Sequence, residues 1–327
     1  MGTKNLISIV MPVYNGERFV GKAIESCLHQ SDERRWELIV VDDGSTDNSL
    51  QIVENYLADT RVKLVSQENK GAAAARNNGI RSSSGNYVAF LDADDCYLPH
   101  TIKNFHAACD NVRESVALFY CNYLRIDQDG ETTARITVKP PMKRPELHLQ
   151  FLFPILNPIL VSSTLVRKDV LDKTGMFDER FARYQGLQLF ARIAERYEIA
   201  KLDFFSTGRR MHENQVTKDR RHVIFWCEEY TLEYLKRHDF CYFCNTHDRS
   251  QQAKIAEDYG DRMMKEPEPM IRTAAYLYEL SLSMDPKEHV QVKLDKLQEN
   301  KETSTSDYEY PSADRQVFSQ HKDTSKS

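Results

Sequence analysis

The sequence predicts an α/β fold with a mostly parallel, doubly wound sheet and a helical extension toward its C-terminal end. Over the first 126 residues, short apolar runs rich in Val and Ile alternate with segments of helical periodicity. The apolar runs are continuous, which is typical of strands that are covered on both faces. Strand–helix–strand alternation of this kind joins neighbouring parallel strands through crossover helices.

Five apolar runs are predicted to be the strands of this sheet: Leu6–Val13, Leu38–Val41, Val62–Val65, Tyr87–Leu91 and Ala117–Tyr123. Apolar stripes at helical spacing indicate helices between them, one over Phe19–Leu28 and one over Leu50–Leu57. Pro99 is suited to the first turn of a further helix, near residues 99–108.

The pattern beyond residue 126 is less regular. Prolines at 140, 141 and 145 mark a loop before the apolar stretch Phe151–Leu160. Helices are predicted over about 185–198, 222–237, 251–264 and 268–284. The segment from Lys301 is rich in Ser, Thr, Asp and Lys and is predicted to be disordered. We therefore divide the chain into regions 1–126, 127–220, 221–300 and 301–327.

Composition narrows the class of protein. Hydrophobic residues make up 41% and charged residues 28%, as in ordinary globular domains. A net charge of −5 argues against nucleic-acid binding, and no apolar run reaches the ~18 residues of a membrane span. Seven irregularly spaced cysteines indicate reduced thiols. We expect a cytoplasmic protein, with peripheral contact at the inner face of the membrane as an open alternative.

The polar clusters of the first half follow strand ends, where ligands bind in sheets of this type. Tyr14 and Asn15 follow the first strand, Asp42 and Asp43 the second, and Asp92–Asp95 the fourth. At about 4 Å and an effective dielectric constant near 20, two carboxylates repel each other by roughly 4 kcal/mol. The acidic segment therefore calls for a positive partner.

Asp92 and Asp94 leave an extended backbone on the same side, with Asp95 opposite. Such oxygens suit Mg²⁺ or Mn²⁺, which complete their coordination with waters and substrate phosphates. The alternative is that Asp94 or Asp95 only caps the following helix. A calcium-binding EF-hand is excluded because Tyr97 and Lys103 stand where Gly and Glu are required. The chain also lacks a G-x-G-x-x-G and a P-loop motif at the first strand.

Four segments together resemble the family 2 glycosyltransferases, which have the GT-A fold. They are VMPVYNGERFV (10–20), ELIVVDDGSTDNS (37–49), NKGAAAARNNGI (69–80) and YVAFLDADDCYLP (87–99). Their order and spacing match the family over residues 5–126, more loosely to about 220, and the last hundred residues are left unassigned. The resemblance implies a donor-binding half over 1–126 and an acceptor-side half over 127–220.

The resemblance also implies a sugar donor linked to uridine, guanosine or thymidine diphosphate, and Mn²⁺ or Mg²⁺ as cofactor. It places Pro12 and Tyr14 against the nucleotide base and makes Asp43 the acceptor of a base N–H. The full implied donor site is Pro12, Tyr14, Asn15, Asp42, Asp43, Gly71, Arg76, Asp92 and Ala93. The implied metal ligands are Asp94 and Asp92, with Asp95 and His212 as further candidates.

The sequence departs from the family pattern at the catalytic base. Members carry Gly-x-Phe-Asp followed by an acidic pair that opens a helix, and an aspartate of that pair deprotonates the acceptor. Gly175–Glu179 matches the first part, but Gln185 and Gly186 stand where the acidic pair belongs. The remaining candidates for the base are His212, Asp178 and Glu179.

The resemblance predicts a metal-dependent transfer of sugar to a glycan, lipid-linked or protein acceptor, in surface-polysaccharide or glycoconjugate assembly. Three explanations of the missing base stay open. The proton passes to another group or to the leaving phosphate, or the acceptor is more acidic than a sugar hydroxyl. In the third, the protein binds donor without transferring it, and its helical C-terminal region recruits a protein partner or a second copy.

Overall fold

A computed structural model describes residues 5–30, 35–111, 113–141, 159–181, 185–213, 220–238, 246–265 and 270–303. These residues fall into two compact units, one holding the described residues up to 213 and the other those from 220 onward. The predicted loop at Pro145, most of the stretch 151–160 and the tail from residue 304 lie outside the described residues. The assignment of donor and acceptor halves stays a prediction.

Within the described residues, nine strands of the first unit form one mixed sheet. They are β1 (Ile7–Val13), β2 (Trp36–Asp42), β3 (Val62–Ser66), β4 (Tyr87–Phe90), β5 (Cys96–Tyr97), β6 (Val116–Ile126), β7 (Thr132–Ile136), β8 (Thr164–Arg167) and β9 (Glu198–Arg210). Their order is β3-β2-β1-β4-β8-β6-β9-β5, and β7 pairs with β6.

The first four strands in chain order, β1 to β4, pair in parallel, as the alternating pattern predicts. Beyond β4 the sheet becomes mixed, since β8 is antiparallel to both β4 and β6. The five predicted strands are confirmed as β1, β2, β3, β4 and β6. Every residue of β2 and of β4 is buried, which explains their continuous apolar sequences.

The helices of the first unit are α1 (Val20–Leu28), α2 (Ser49–Glu54), α3 (Ala72–Ser82), α4 (Thr101–Asp110), α5 (Lys168–Thr174) and α6 (Gln185–Arg196). Helix α3 lies directly on β1. A Cβ on Gly79 would lie 2.3 Å from Cγ1 of Val10, so glycine permits this close approach. The same helix carries Arg76 and Asn77 to the carboxyl edge of the sheet.

The second unit contains α7 (Arg220–Arg237), α8 (Arg249–Met264), α9 (Ile271–Met284) and α10 (Glu288–Thr303). The first three confirm the helices predicted there, and α10 lies in a region where no helix was predicted. None of the described helices is long and apolar enough to cross a lipid bilayer.

An ion network around the buried Glu257 joins α8 to α10 within this unit. The Oε1 atom of Glu257 accepts hydrogen bonds from Lys293 Nζ at 2.7 Å and from His289 Nε2 at 2.9 Å. Lys293 also contacts both carboxylate oxygens of Asp261 at 2.8 Å. Because Glu257 is 3% exposed, its charge depends on these partners for compensation.

Candidate donor and metal site

Asp94 faces His212 at the carboxyl end of β4. Its Oδ2 atom lies 3.0 Å from His212 Nε2. Burial and then the charge of Asp92 raise the pKa of Asp94, while the contact with His212 lowers it. The carboxylate is therefore under-compensated by the protein, as expected where a cation binds.

Asp92 is held by Arg76 from α3. The Nη2 atom of Arg76 donates to Asp92 Oδ1 at 2.6 Å, and its Nη1 donates to Gln185 Oε1 at 2.9 Å. The guanidinium also lies 5.5 Å from the ring centroid of Phe177. One buried arginine therefore links the end of β4 to the start of α6.

Asp95 is buried, whereas the side chains of Asp92 and Asp94 are about one third exposed. The predicted extended backbone is wrong here, because residues 92–95 form a turn in which the Asp95 N–H donates to the Asp92 carbonyl at 3.0 Å. Its Oδ2 accepts from Ser162 Oγ at 2.7 Å and its Oδ1 from the backbone N–H of Arg210 at 3.0 Å. Burial, followed by the charges of Asp94 and Asp92, raises its pKa well above the usual range. With both oxygens bound by protein donors, Asp95 connects β4 to β9 and to the short 3₁₀ turn Val161–Ser163.

The residues present fit a divalent cation that shares its coordination with a substrate. Among the described residues, no group of three or more His, Cys, Asp or Glu side chains is placed to hold a metal ion. Asp94 supplies one carboxylate, the usual protein contribution to Mg²⁺ beside a nucleotide, and a site formed by Asp94 and His212 leaves most positions to phosphate oxygens and water. The observation that supports this fit is geometric: Asp94 Oδ2 and His212 Nε2 lie 3.0 Å apart, and the Asp94 side chain is 32% exposed.

The Asp43 carboxylate, which is predicted to contact a nucleotide base, already accepts hydrogen bonds from the segment 67–71. Its Oδ1 accepts from Gln67 Nε2 at 2.8 Å and from the Lys70 N–H at 2.9 Å. Its Oδ2 accepts from the Gly71 N–H at 2.9 Å, which leaves one lone pair of Oδ2 for a ligand. Gly71 precedes α3 with φ of +88°, a conformation that favours glycine.

The remaining predicted donor residues lie on the loops around this edge. Tyr14 is 52% exposed, so its ring is available to a planar ligand. Asn15, at φ of +48°, accepts a hydrogen bond from the Thr46 N–H at 2.8 Å. Asp42 is buried and accepts from the Ser45 N–H at 3.3 Å. Pro12 and Ala93 are half-buried.

Gly186, where the resemblance predicts the catalytic base, is closed by packing. A Cβ on Gly186 would lie 2.3 Å from Cγ2 of Val161 in the 3₁₀ turn. The neighbouring Gln185 is occupied, since its Oε1 binds Arg76 and its Nε2 donates to the Phe181 carbonyl at 2.6 Å. In this structure, no carboxylate at position 186 would fit without movement of Val161.

The other two candidate bases have protein partners. Asp178 Oδ2 contacts Arg180 Nη2 at 2.7 Å and accepts from Gln188 Nε2 at 2.9 Å. Burial raises the pKa of Asp178, but these hydrogen bonds outweigh it and lower the pKa overall. Glu179 accepts from Asn77 Nδ2 at 2.7 Å. Both acids therefore lie beside α3 and α6 with structural contacts, whereas His212 lies against Asp94.

The structure places three further residues against the predicted metal ligands. Ser162 binds Asp95 and also accepts from the Asp92 N–H at 3.1 Å. Arg210 donates from Nε to the Asp94 carbonyl at 3.0 Å. The Phe19 ring lies 5.0 Å from that of His212, centroid to centroid. Ser162 lies just before β8 and Arg210 ends β9; both strands pair with β6, and neither was predicted from the sequence.

Residues 8–175 match the family described as glycosyl transferase family 2. An uncharacterized glycosyltransferase of Rickettsia prowazekii is 34% identical over 176 residues, covering 53% of this chain and 54% of that protein. One of Haemophilus influenzae is 52% identical over 137 residues, covering 40% and 52%. The chain WfgD of Escherichia coli, a UDP-Glc:α-D-GlcNAc-diphosphoundecaprenol β-1,3-glucosyltransferase, is 38% identical over 126 residues, covering 38% and 48%. The chain thus matches about half the length of these relatives.

Solved structures share the fold. Staphylococcus aureus TarS 1–349 has a TM-score of 0.55 at 19% identity, covering 93% of both chains. The mannosyltransferase PcManGT of Pyrobaculum calidifontis, solved with GDP-Man and Mn²⁺, has a TM-score of 0.58 at 14% identity, covering 97% of this chain and 84% of that one. The predicted GT-A fold with C-terminal helices is thereby confirmed. With the family match extending over half of the sequence, the chain belongs to glycosyl transferase family 2.

Proposed function

We propose that the protein is a metal-dependent glycosyltransferase that moves a sugar from a nucleotide-diphosphate donor to a glycan or lipid-linked acceptor in surface-polysaccharide assembly. The observation that carries the proposal is the pairing of Asp94 Oδ2 with His212 Nε2 at 3.0 Å. It lies at the carboxyl end of a parallel strand, where nucleotide ligands bind in sheets of this type.

Named relatives support the donor and acceptor classes. WfgD is named for transfer from UDP-Glc to a lipid diphosphate-linked sugar, and TarS has been solved with UDP and with UDP-GlcNAc. PcManGT was solved with GDP-Man, which supports guanosine as the alternative nucleotide. We propose a UDP-sugar as the first choice and a lipid-linked saccharide, met at the cytoplasmic surface of the bilayer, as the acceptor.

In this proposal Asp94 and His212 hold Mn²⁺ or Mg²⁺ against the donor diphosphate. A bound cation supplies Lewis-acid stabilisation of the negative charge that grows on the departing diphosphate. Arg76 keeps Asp92 in place from the side of α3. The free lone pair of Asp43 accepts a base N–H, and the exposed ring of Tyr14 covers the base.

A second candidate is a donor-binding module without transferase activity. The closed position of Gly186 against Val161 favours it, because the family's usual base cannot be supplied there. The pairs Asp94–His212 and Arg76–Asp92 belong to the donor end of the site, which both candidates need, so release of nucleoside diphosphate is what distinguishes them.

A thermal-shift screen separates the donor classes. UDP-Glc, UDP-GlcNAc and GDP-Man are each added with Mn²⁺ and with EDTA. We expect one nucleotide type to raise the unfolding temperature and Mn²⁺ to increase that shift. Equal shifts in EDTA, or none with any donor, would argue against the metal-dependent donor site.

A further inference from the structure

Arg210, the last residue of β9, binds both sides of the acidic segment. Its backbone N–H donates to Asp95 Oδ1 at 3.0 Å, and its side-chain Nε donates to the Asp94 carbonyl at 3.0 Å. The residue is 3% exposed, so these bonds are shielded from water. Arg210 therefore fixes the backbone that carries the Asp94 carboxylate.

The Nη1 atom of the same guanidinium binds the turn between β6 and β7. It donates to the carbonyls of Asp127 at 3.1 Å and Gln128 at 3.0 Å. Gln128 in turn accepts from Arg18 Nη2 at 2.7 Å, in the loop before α1. Three separate segments thus meet at one arginine beside the metal-binding pair.

Phe19 connects Arg210 to His212. The Arg210 guanidinium lies 4.9 Å from the Phe19 ring centroid, within the range of a cation–π contact. The His212 ring packs on the same phenyl ring, with centroids 5.0 Å apart. Since Phe19 is 6% exposed, its ring is a fixed surface for the imidazole.

We propose that Arg210 is a positioning residue, which holds the Asp94 backbone directly and the His212 ring through Phe19. Oδ2 of Asp94 and Nε2 of His212 then face each other before any cation arrives. The inference rests on the proposed function, because it assigns these two atoms to the metal. Residues that orient metal ligands typically change metal affinity by about 10–100-fold when replaced.

Mn²⁺ binding without donor or acceptor tests this role. Titration followed by the electron paramagnetic resonance signal of free Mn²⁺ gives the affinity without any turnover. We expect R210Q to weaken binding by about tenfold or more. The matched control is R209Q, which removes the same charge one residue earlier, where Arg209 makes no side-chain hydrogen bond or ion pair with the described residues. We expect R209Q to stay within about twofold of wild type.

The variant F19L protects the test against misfolding. It keeps an apolar side chain but removes the aromatic surface shared by Arg210 and His212. If R210Q does not fold, as judged by circular dichroism, F19L carries the test, with an expected loss of affinity of several-fold. The ring resonances of His212 in histidine-labelled, metal-free protein, assigned with H212N, should shift in both variants and not in R209Q.

Three further outcomes decide the matter. If R210Q and F19L fold and bind Mn²⁺ as wild type does, while D94N does not bind, the positioning role is wrong and the metal site stands. If R209Q weakens binding as much as R210Q, only net charge matters, and the inference also fails. If wild type and D94N bind Mn²⁺ equally, it is the proposed metal site that fails.

Discussion

Gly186 and Val161 are packed so closely that a Cβ on the glycine would lie 2.3 Å from Cγ2 of the valine. The usual catalytic base of the family is therefore excluded at this position by shape as well as by residue type. Real Cβ atoms do not approach other atoms so closely, and valine has few alternative rotamers with which to move away.

Restoring the acid alone should not restore a base. We expect G186D to lower the free energy of unfolding by about 1–3 kcal/mol through overpacking, without raising the transfer rate. G186A should lower the free energy of unfolding by a similar amount, because the steric clash with Val161 arises already at Cβ. Urea unfolding of both variants measures this.

A variant that removes the clash between residue 186 and Val161 provides the control. The double variant V161A/G186D removes the valine Cγ2, so it should recover most of the stability lost in G186D. If G186D is as stable as wild type and transfers sugar faster, the closed position described for Gly186 is wrong.

Arg76 and Asp92 should be energetically coupled. Removing the charge in R76Q leaves Asp92 and Gln185 without their donor, at an expected cost of about 1–3 kcal/mol. D92N should cost less in the R76Q background than in wild type, since the ion pair is already lost. A double-mutant cycle by urea unfolding measures the coupling, and a value near zero would show that the 2.6 Å contact contributes nothing.

Asp178 should prove structural. Because its contacts with Arg180 and Gln188 lower its pKa, it is a poor proton acceptor near neutral pH. We expect D178N to lower the unfolding temperature while transfer stays within about tenfold of wild type. E179Q, at the other acidic candidate, should likewise leave transfer within about tenfold of wild type. A loss of transfer of more than about 100-fold at unchanged stability would instead identify Asp178 as the base.

The helical unit should lose stability in acid through Glu257. Burial raises the pKa of Glu257, but hydrogen bonds from Lys293 and His289 and the nearby lysine charges outweigh it and lower the pKa from 4.5 to about 2. A carboxyl with a depressed pKa stabilises the fold fully above 4.5, and this contribution is lost as the pH falls toward about 2.

Urea unfolding of wild type and E257Q across this pH range tests the sign. We expect wild type to be the more stable at neutral pH, by at most about 3 kcal/mol, and the gap to narrow below pH 4.5. The control E288Q changes an exposed glutamate on α10, and its free energy of unfolding should stay close to that of wild type at every pH. If the stability difference between wild type and E257Q grows as the pH falls, the lowered pKa of Glu257 is wrong.

The sequence was informative where local pattern and burial agree. Strand β2 is buried over its whole length, and its run of apolar residues predicts it directly. Strand β9 mixes apolar, charged and small residues because its neighbours and its bulges change along its length. The sequence of β9 therefore shows no strand periodicity, and the position of Arg210 beside Asp94 could not be predicted from it. The closed space at Gly186 depends on Val161, and their contact arises only from tertiary packing.

Nucleoside diphosphate release is the most direct test of the proposed function. UDP-Glc, UDP-GlcNAc and GDP-Man are incubated with wild type, D94N and H212N, with lipid-linked saccharide acceptors and either Mn²⁺ or EDTA. We expect release from one nucleotide type with Mn²⁺, its loss in EDTA, and a drop of at least about 100-fold in D94N. Release in EDTA or by D94N that equals release by wild type with Mn²⁺ would contradict the proposed function. Tight donor binding without any release would also contradict it.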